Sequence, residues 1–513
     1  LIGLIKNNSV KSEFDIVIIG SGMGGLVCAD ILGREGYSVC ILEKNKQAGG
    51  SLQTYVRDRV IFDSGVHYLG GLGEGQNLYQ VFKYLGLMDR LKLQKMDEDV
   101  FDKIIFENDP KEYVYAQGYE NFIQHLLKDF PNEEKALRTY CDKIKDVCNK
   151  FPLYNLRTGG DVNEKTPVLS IDLKAFVESI TDDRKLQAVL VGNNMLYVMQ
   201  GNKTPLYVHA MILNSYIESS WKCIDGGSNI TKYMVQNIRK HGGDIRRNTE
   251  VKKIVVEDGK VRSVQLADGS HVYSKSFFRN MHPVRTLEMT ETELIKPAYR
   301  SRVKDLENTV SSFIVNIVFK ENSFAYLKNN YYYHKDGHVW DPAAHTEANW
   351  PLAYSLFFAT SSRMDKYAES MTILAYMRFD EVEQWAHTVN TVSNETDRGE
   401  DYEAFKKRKA EKLIDLVQEK FPGLRDAIKS YYTATPLSYR DYIGNDDGSM
   451  YGIAKDYRNP LKTFISPRTK IPNLYLTGQN LNLHGVLGTT MSGLVTCIAL
   501  LGNEDIIDKI RNA

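Results

Sequence analysis

One stretch of the chain, residues 15–45, constrains the fold more than any other. It reads DIVIIGSGMGGLVCADILGREGYSVCILEKN, a glycine-rich turn between two short apolar runs. The continuous, β-branched run at 15–19 predicts a buried strand. The segment after the glycines predicts a helix that ends at Gly36, and residues 37–42 predict a second strand. This order is a βαβ unit, the element from which doubly wound α/β domains are built.

The turn in this unit has the spacing G-x-G-x-x-G, formed by Gly20, Gly22 and Gly25. After a strand and before a helix, the first glycine permits a tight turn and the second lets the backbone approach a pyrophosphate. The third allows the helix to pack closely on the strand, and the helix N-terminus offers free N–H groups to phosphates. Glu43 ends the second strand, where a carboxylate accepts hydrogen bonds from ribose hydroxyls and disfavours a 2′-phosphate. The expected ligand is therefore an ADP-like nucleotide, NAD or FAD; the alternative is a glycine-rich turn in an ordinary α/β fold.

Two further glycine-rich stretches favour FAD over NAD. GGSLQTY at 49–55 adds a glycine pair soon after Glu43, which a plain NAD domain rarely needs. Near the other end, IPNLYLTGQNLNLHGVLGTTMSGLVTCIALLG at 471–502 predicts a strand, a glycine-rich turn and a helix that begins near Gly488. Distant parts of the chain would then form one nucleotide site, an arrangement typical of FAD-dependent oxidoreductases.

Composition argues against several other classes of protein. The 513 residues include 65 Lys plus Arg and 65 Asp plus Glu, so no basic excess points to nucleic acid. The six cysteines form no CxxC pair, so no metal site is predicted. No apolar stretch approaches the ~18–20 residues that span a bilayer. These features predict a cytoplasmic protein whose contact with the inner membrane face, if any, is peripheral.

Six motifs along the chain resemble those of one known family. They are VIIGSGMGGL (17–26), LEKNKQAGGSLQTY (42–55), FDSGVHYLGG (62–71), CIDGGSNITKYMVQNIRKHGGDIRRNTEVKKI (223–254), NMHP (280–283) and LYLTGQNLNLHGVLG (474–488). Together they resemble the flavin amine oxidase superfamily, and within it the branch of phytoene desaturases, carotenoid isomerases and all-trans-retinol 13,14-reductases. FDSGVHYLGG and LTGQN favour the retinol saturase-like members. The resemblance implies an α/β fold, with a Rossmann-like FAD-binding domain of the amine-oxidase type and an inserted α+β substrate domain.

The resemblance also implies how the chain is divided. The FAD-binding domain would comprise residues 12–124, 222–284 and 462–513. The substrate domain would comprise a helical part at 125–221 and an antiparallel sheet at 285–461. The strand-like runs SSFIVNIVFK, YSLFFAT and MTILAYMRFD fall in that last segment and fit such a sheet.

The implied FAD contacts extend from the adenine to the flavin ring. They are the pyrophosphate loop of Gly20, Ser21, Gly22, Met23, Gly24 and Gly25; Glu43 and Lys44 at the adenosine ribose; Gly50 and Ser51 along the ribityl–pyrophosphate region; Val251 at the adenine; and Gly478, Gln479, Gly488 and Thr489 at the ribityl and isoalloxazine end.

Candidate catalytic residues follow from the chemistry that a flavin leaves to the protein. A flavin supplies hydride transfer, so saturating a C=C bond also needs a proton. His67 and Tyr68 follow a glycine-rich strand end that the resemblance places near the isoalloxazine, and His484 lies in the C-terminal motif. Histidine titrates near neutral pH and can act as a general acid. Structural hydrogen bonds are the alternative for both histidines, water is an alternative proton source, and His282 is expected to fix a loop.

The sequence thus predicts an FAD-dependent oxidoreductase acting on C=C or C–C bonds of a polyene or isoprenoid lipid, with retinol saturase-like reduction as the first choice. A carotenoid desaturase or cis–trans isomerase of the same family is the alternative, followed by an amine oxidase or a non-enzymatic prenyl-lipid carrier. An amine oxidase would need an aromatic cage at the flavin, and GQNLNLHG supplies no aromatic pair. Because only one dinucleotide fingerprint occurs, electrons must pass by direct contact between the flavin and a nicotinamide, a quinone, oxygen or a partner protein.

Three further segments carry local expectations. The Tyr- and Met-rich segment 195–217 is expected to be core, with a substrate tunnel as the alternative. Residues 406–409 are expected to form a solvated helix face, with contact to anionic lipid as the alternative. Ser228 is expected to cap the helix that follows it.

Overall fold

The computed structural model describes residues 13–159, 162–364 and 366–513. Within these residues, two seven-stranded sheets organise the chain. The first sheet contains the strands Glu13–Ile19, Val39–Leu42, Asp244–Arg246, Val251–Glu257, Lys260–Leu266, His271–Arg279 and Leu474–Leu476. Because these strands come from three separate parts of the chain, the segments between them are inserted into the first sheet. The predicted α/β class with an inserted domain is confirmed.

The central strands of the first sheet are parallel and end together. Along the sheet their order is 244–246, 39–42, 13–19, 271–279, 260–266 and 251–257, with 474–476 also beside 271–279. Ile19 pairs with Leu42 on one side and with Arg279 on the other, and Arg279 pairs with Leu476. The residues that follow these strands therefore meet at one edge, which is where open α/β sheets bind their ligands.

Three helices pack together next to the first sheet. Met23–Arg34 lies between Ser228–Lys240 and Gly485–Leu501. A Cβ at Gly493 would lie 2.8 Å from Val27, so a glycine is what lets two of these helices approach closely.

The second sheet is built from strands of the inserted segments. Its strands are Asp102–Phe106, Glu112–Tyr115, Ser311–Phe319, Asn330–His334, Ala353–Phe357, Ser370–Met377 and Ile428–Ala434. Neighbouring strands of this sheet are antiparallel, except that the strand at 102–106 runs parallel to the strand at 330–334. The strands predicted after residue 285 are present, and the predicted segment 12–124 contributes two more strands to this sheet. Residue 12 itself lies outside the described residues.

The remaining elements surround these two sheets. The other α-helices are Asn77–Tyr84, Tyr119–Leu127, Glu134–Asn149, Val162–Leu169, Leu173–Ile180, Arg184–Leu190, Leu206–Glu218, Pro283–Glu288, Pro297–Lys304, Glu400–Lys420, Leu424–Ala427, Pro436–Ile443 and Asp505–Arg511. Short 3-10 helices are Gly50–Leu52, Leu153–Asn155, Asn194–Leu196 and Phe379–Trp385. Small sheets pair Thr54–Arg57 with Val60–Asp63, Ser220–Cys223 with Leu69–Gly70 and Leu93–Lys95, and Asn390–Thr391 with Asn394–Glu395.

Two helix boundaries differ from the sequence prediction. Gly227 takes the cap position of the helix Ser228–Lys240, because the Ser228 hydroxyl is hydrogen-bonded to Thr54 Oγ1 at 2.9 Å. The C-terminal helix begins at Gly485, earlier than the predicted Gly488.

The prediction that residues 406–409 form a solvated helix face is wrong for Lys409. Lys409 is only 3% exposed, and its Nζ donates to Glu347 at 2.6 Å and to Glu381 at 2.9 Å. A buried ammonium needs such partners, so Lys409 ties this helix to the protein interior and is not available to a lipid surface.

Candidate functional site

A cavity of about 570 Å³ lies at the edge where the central strands of the first sheet end. Gly20, Glu43, Asn280 and Gly478 follow four of these strands closely, and all four line the cavity. Parallel pairing explains this convergence, since the carboxyl ends of parallel strands share one edge.

The glycine loop at 20–25 leaves no room for side chains on its inner surface. A Cβ at Gly25 would lie 2.4 Å from the Gly20 carbonyl oxygen, and one at Gly24 would lie 2.9 Å from the Gly478 backbone nitrogen. Gly20 has φ +95°, which favours glycine. No side chain caps the 12-residue helix that begins at Met23. Its first N–H groups therefore remain to bind phosphate, and the loop fits the pyrophosphate of FAD.

Asn280 joins this loop to the C-terminal motif. Its side-chain amide donates to the carbonyl oxygens of Gly22 at 3.0 Å and Gly20 at 3.3 Å. Its Oδ1 lies 2.6 Å from where a Cβ of Gly478 would be. Asn280 belongs to the NMHP motif, but the sequence alone indicated no role for it. Its position directly after a strand of the first sheet is the signal that could have found it.

Glu43 is held at the cavity by the glycine loop. One carboxylate oxygen accepts from the Ser21 N–H at 3.0 Å and from its hydroxyl at 2.5 Å, and the other accepts from the Asn45 N–H at 2.8 Å. A carboxylate has about four acceptor positions, so one is left for a ribose hydroxyl. Lys44 donates to the Asp441 carbonyl oxygen at 2.9 Å, and burial lowers the pKa of its ammonium.

The other predicted FAD contacts also line this cavity. The residues concerned are Gly50, Ser51, Val251, Gly478, Gln479, Gly488 and Thr489. Gly50 and Gly478 both have positive φ, at 56° and 100°. Because the C-terminal helix begins at Gly485, its unsatisfied N–H groups belong to residues just before Gly488 and Thr489.

His67 lies on the cavity wall in a stacked pair. Its ring is 4.2 Å from that of Phe357, at an interplanar angle of 2°. Burial, with a smaller contribution from the Lys222 charge, lowers the pKa of His67 to about 4. The ring is therefore neutral at pH 7, and its role as a general acid stays a prediction.

His484 and His282, the other two histidines considered in the sequence, make structural contacts. His484 stacks on Tyr451 at 4.0 Å, and its Nε2 donates to the Leu196 carbonyl oxygen at 2.8 Å. Burial lowers the pKa of His484 to about 4, so its single proton is occupied in that hydrogen bond. His282 Nδ1 accepts from the Val284 N–H at 3.3 Å and caps a helix, in agreement with the expected loop-fixing role.

The cavity wall beyond these contacts is apolar and aromatic. It includes Tyr68, Met195, Leu196, Met211, Ile212, Tyr216, Tyr332, Phe357, Leu374, Tyr439, Met450 and Tyr451. The segment 195–217 is divided between the core and the cavity wall, and a role as substrate tunnel stays a prediction. Met211, Ile212 and Tyr216 of one helix line the cavity, while Leu206 and Tyr207 at its start pack in the core.

Tyr68, a predicted catalytic residue, takes part in a buried polar cluster that the sequence did not indicate. Its hydroxyl lies 2.9 Å from Asp102 Oδ2 and 2.7 Å from the Tyr332 hydroxyl. Asp102 and Tyr332 lie on neighbouring strands of the second sheet, far from Tyr68 in sequence, so no local motif marks them.

No helix among the described residues is long and apolar enough to cross a membrane. Within the same residues, no group of three or more His, Cys, Asp and Glu side chains is placed to hold a metal ion.

Comparison with known proteins places the chain in a family. The model of the family "flavin containing amine oxidoreductase" matches residues 23–501. Human all-trans-retinol 13,14-reductase is 26% identical over 98% of this chain and 88% of its own length, and prolycopene isomerase from carrot chloroplasts is 24% identical over 94% and 79%. The crystal structure of an oxidoreductase from Methanosarcina mazei has the same fold, with a TM-score of 0.63 and 13% identity over 95% of this chain and 100% of that one. The chain therefore belongs to the family of flavin-containing amine oxidoreductases and uses FAD as its cofactor.

Proposed function

We propose that this protein uses FAD to saturate a C=C bond of a polyene or other isoprenoid lipid. The observation that carries the proposal is the cavity itself, since its wall continues from the glycine loop into aromatic and methionine side chains. Such side chains line pockets for long apolar ligands. The full-length similarity to a retinol 13,14-reductase supports the same substrate class.

In this proposal the FAD-binding residues are those predicted from the sequence, with Asn280 added. The loop at 20–25 holds the pyrophosphate, Glu43 the ribose, and Gly478 with Gln479 the flavin end. Bound there, FAD supplies hydride transfer. The protein positions the polyene, excludes water with its aromatic wall and provides the proton.

Two stacked ring pairs line the proposed substrate space. His67 with Phe357 and Tyr451 with His484 are both parallel to within 17°. Flat, rigid walls suit a conjugated chain, because planar surfaces restrict its rotation at little entropic cost.

Desaturation or cis–trans isomerisation is the second candidate, favoured by the similarity to prolycopene isomerase. These reactions need the same FAD site and the same kind of substrate. They differ from saturation in the net redox change, which product analysis measures directly.

The proposal also retains the predicted division of the chain. The FAD-binding domain would comprise residues 12–124, 222–284 and 462–513. Within the first of these segments, the strands at 102–106 and 112–115 belong to the sheet of the substrate domain. The electron donor is proposed to contact the flavin directly. A cytoplasmic location and peripheral contact with the inner membrane face stay predictions.

The experiment is anaerobic incubation of the chemically reduced holoprotein with retinol, carotenoids and other isoprenoids, followed by mass spectrometry. Saturation predicts a product heavier than its substrate by two hydrogen atoms. A product of unchanged mass but altered geometry would favour the isomerase. A lighter product formed from the oxidised holoprotein would favour the desaturase. Turnover of amines alone would overturn the proposal.

A further inference from the structure

A carboxyl group lies directly behind the cavity wall. Asp102 is completely buried at the start of a strand in the second sheet. One of its oxygens accepts from the Asn330 amide at 2.9 Å, and the other lies 2.9 Å from the Tyr68 hydroxyl. No ion pair with Asp102 is found among the described residues, so no cation neutralises this group by direct contact.

Two tyrosines connect Asp102 to the cavity. The Tyr68 hydroxyl lies 2.7 Å from that of Tyr332, and both rings line the cavity. Tyr332 is completely buried, so its hydroxyl is shielded from bulk solvent and is hydrogen-bonded to Tyr68. Tyr68 is fixed by stacking on Tyr216 at 4.3 Å.

The surroundings of Asp102 move the titration of its carboxyl group close to neutral pH. Burial raises the pKa of Asp102 to about 7, against the opposing effects of Asn330, Tyr68 and the Lys222 charge. The pKa of Tyr68 and that of Tyr332 are raised well above their usual value, mainly by burial, so both hydroxyls stay protonated.

The remaining titratable groups around Asp102 come from three neighbouring elements. Tyr115 lies opposite it in the sheet, Tyr216 faces it from a helix, and Lys222 acts on it electrostatically from a short strand. Lys222 Nζ donates to the Phe358 carbonyl oxygen at 2.9 Å, and burial lowers its pKa to about 7. The Tyr115 hydroxyl donates to the Val189 carbonyl oxygen, which leaves Tyr68 and Tyr332 as the hydroxyls joined to Asp102.

We propose that Asp102, Tyr68 and Tyr332 form a proton-delivery chain to the substrate, with Tyr332 as the terminal donor. The inference rests on the proposed function, because saturating a C=C bond needs a proton at one carbon and a hydride, the usual contribution of a reduced flavin, at the other. The Tyr332 hydroxyl gives its proton to the carbon and takes one from Tyr68, which takes one from the Asp102 carboxyl. Asp102 is left as a carboxylate, and water in the emptied cavity returns the proton along the same chain. The substrate thus gains two hydrogen atoms and two electrons.

A second buried cluster shows what a purely structural arrangement looks like here. His209 lies 2.6 Å from the Tyr140 hydroxyl and 2.8 Å from the Tyr197 hydroxyl. It contains two tyrosines as well, but it lacks a carboxyl group and none of its three members lines the main cavity. Of these two clusters, only that of Asp102 combines a carboxyl group with tyrosines that line the main cavity.

The first test needs no turnover. Infrared difference spectra of the holoprotein, titrated across neutral pH in H₂O and D₂O, report the C=O stretch of protonated carboxyl groups. We expect a band that disappears near pH 7 and is missing from Asp102→Asn. Asp63→Asn is the matched control, because burial also raises the pKa of Asp63 to about 7 while its recorded partner is the Gly227 N–H at 2.7 Å. If Asp102→Asn removes no titrating band, the proposed proton source is wrong.

The second test separates the proton from the hydride. Flavin reoxidation is followed after mixing with the polyene, and separately with ferricyanide, which takes electrons without a proton transfer to carbon. Tyr332→Phe should slow the polyene reaction by about 100-fold, the usual scale for a general acid, and leave the ferricyanide reaction and FAD content unchanged. Wild type should lose rate above pH 7 as Asp102 ionises, and Tyr68→Phe and Asp102→Asn should remove that loss.

The outcomes distinguish this inference from the proposed function. If wild type saturates no polyene, the proposed function fails, and the infrared titration still decides whether Asp102 holds a proton. If wild type saturates a polyene and Tyr332→Phe stays within about twofold of it at every pH, the delivery chain is overturned.

Discussion

The two parts of the cavity are built on different physical principles. The FAD side is mainly backbone, and its glycines are required because a Cβ would collide with neighbouring chain at 2.4 to 2.9 Å. The substrate side is made of side chains from the second sheet, from the helical part at 125–221 and from segments outside both seven-stranded sheets. A backbone site tolerates almost no substitution and leaves a recognisable motif. A side-chain wall can be changed residue by residue, and it leaves no motif.

The largest effect is expected from Gly25→Val. Its new side chain would meet the Gly20 carbonyl oxygen and Ile18, and overpacking of this kind costs about 1–3 kcal/mol. We expect FAD affinity to fall by about 100-fold, measured as the flavin-to-protein absorbance ratio after desalting at known FAD concentrations. Gly36→Ala is the control, because its Cβ would meet nothing within 4 Å, although its φ is +89°. Full FAD occupancy in Gly25→Val would refute the backbone account.

Asn280→Ala should have the next largest effect. It removes the amide that holds two loop carbonyl oxygens, and a lost buried hydrogen bond costs about 1–3 kcal/mol. FAD affinity should fall by about 10-fold or more, as measured by titration of the apoprotein. Asn108→Ala, which removes an exposed amide bonded to Asp336, should leave FAD binding unchanged. Equal affinities in the two variants would show that Asn280 does not organise the loop.

On the substrate side, Phe357→Ala and Phe358→Ala form a matched pair. The two residues follow each other, but only Phe357 lines the cavity, while Phe358 packs near Phe324 in another core. Both should lose about 3–5 kcal/mol of unfolding free energy at most. Only Phe357→Ala should raise KM for the polyene, by about 10-fold, while FAD content stays the same. A similar KM in both variants would show that the stacked wall does not select the substrate.

The last prediction concerns the pH dependence of stability, not the binding of FAD or substrate. Because the pKa of Asp102 is raised from 3.8 to about 7 on folding, the native state binds more protons than the unfolded state between these values. Its contribution is fully present below pH 4 and is lost as pH rises to 7, with a slope of up to about 1.4 kcal/mol per pH unit. Denaturant unfolding across this range should show a steeper slope in wild type than in Asp102→Asn, because Asp63, whose pKa burial also raises to about 7, contributes equally in both proteins. Parallel curves would contradict a neutral, buried Asp102.

The sequence predicted the FAD side of the cavity, which is built from backbone, better than the substrate side, which is built from side chains. Gly20 and Gly25 were found because steric rules for backbone approach require glycine at a fixed spacing, and Gly478 was found through the family resemblance of its motif. The start of the C-terminal helix was placed a few residues late, since His484, not a typical capping residue, precedes it.

The residues that the sequence missed depend on strand pairing. Asp102 and Asn330 meet because two strands more than 200 residues apart pair side by side. Tyr332 becomes a neighbour of Tyr68 only when the second sheet packs against the segment that precedes Leu69. Lys409 was predicted to be solvated because its partners Glu347 and Glu381 lie outside its own helix and cannot be recognised from the helix sequence.

The most direct test of the central claim, that a backbone loop holds FAD while an aromatic wall selects a polyene, is anaerobic stopped-flow mixing of the reduced holoprotein with all-trans-retinol. Flavin absorbance reports the reaction, and a saturated alcohol of equal length is the reference. We predict fast reoxidation by retinol in wild type and in Phe358→Ala, slower reoxidation in Phe357→Ala, and none by the saturated alcohol. A flavin that stays reduced with every polyene, while an amine reduces the oxidised holoprotein, would contradict the account.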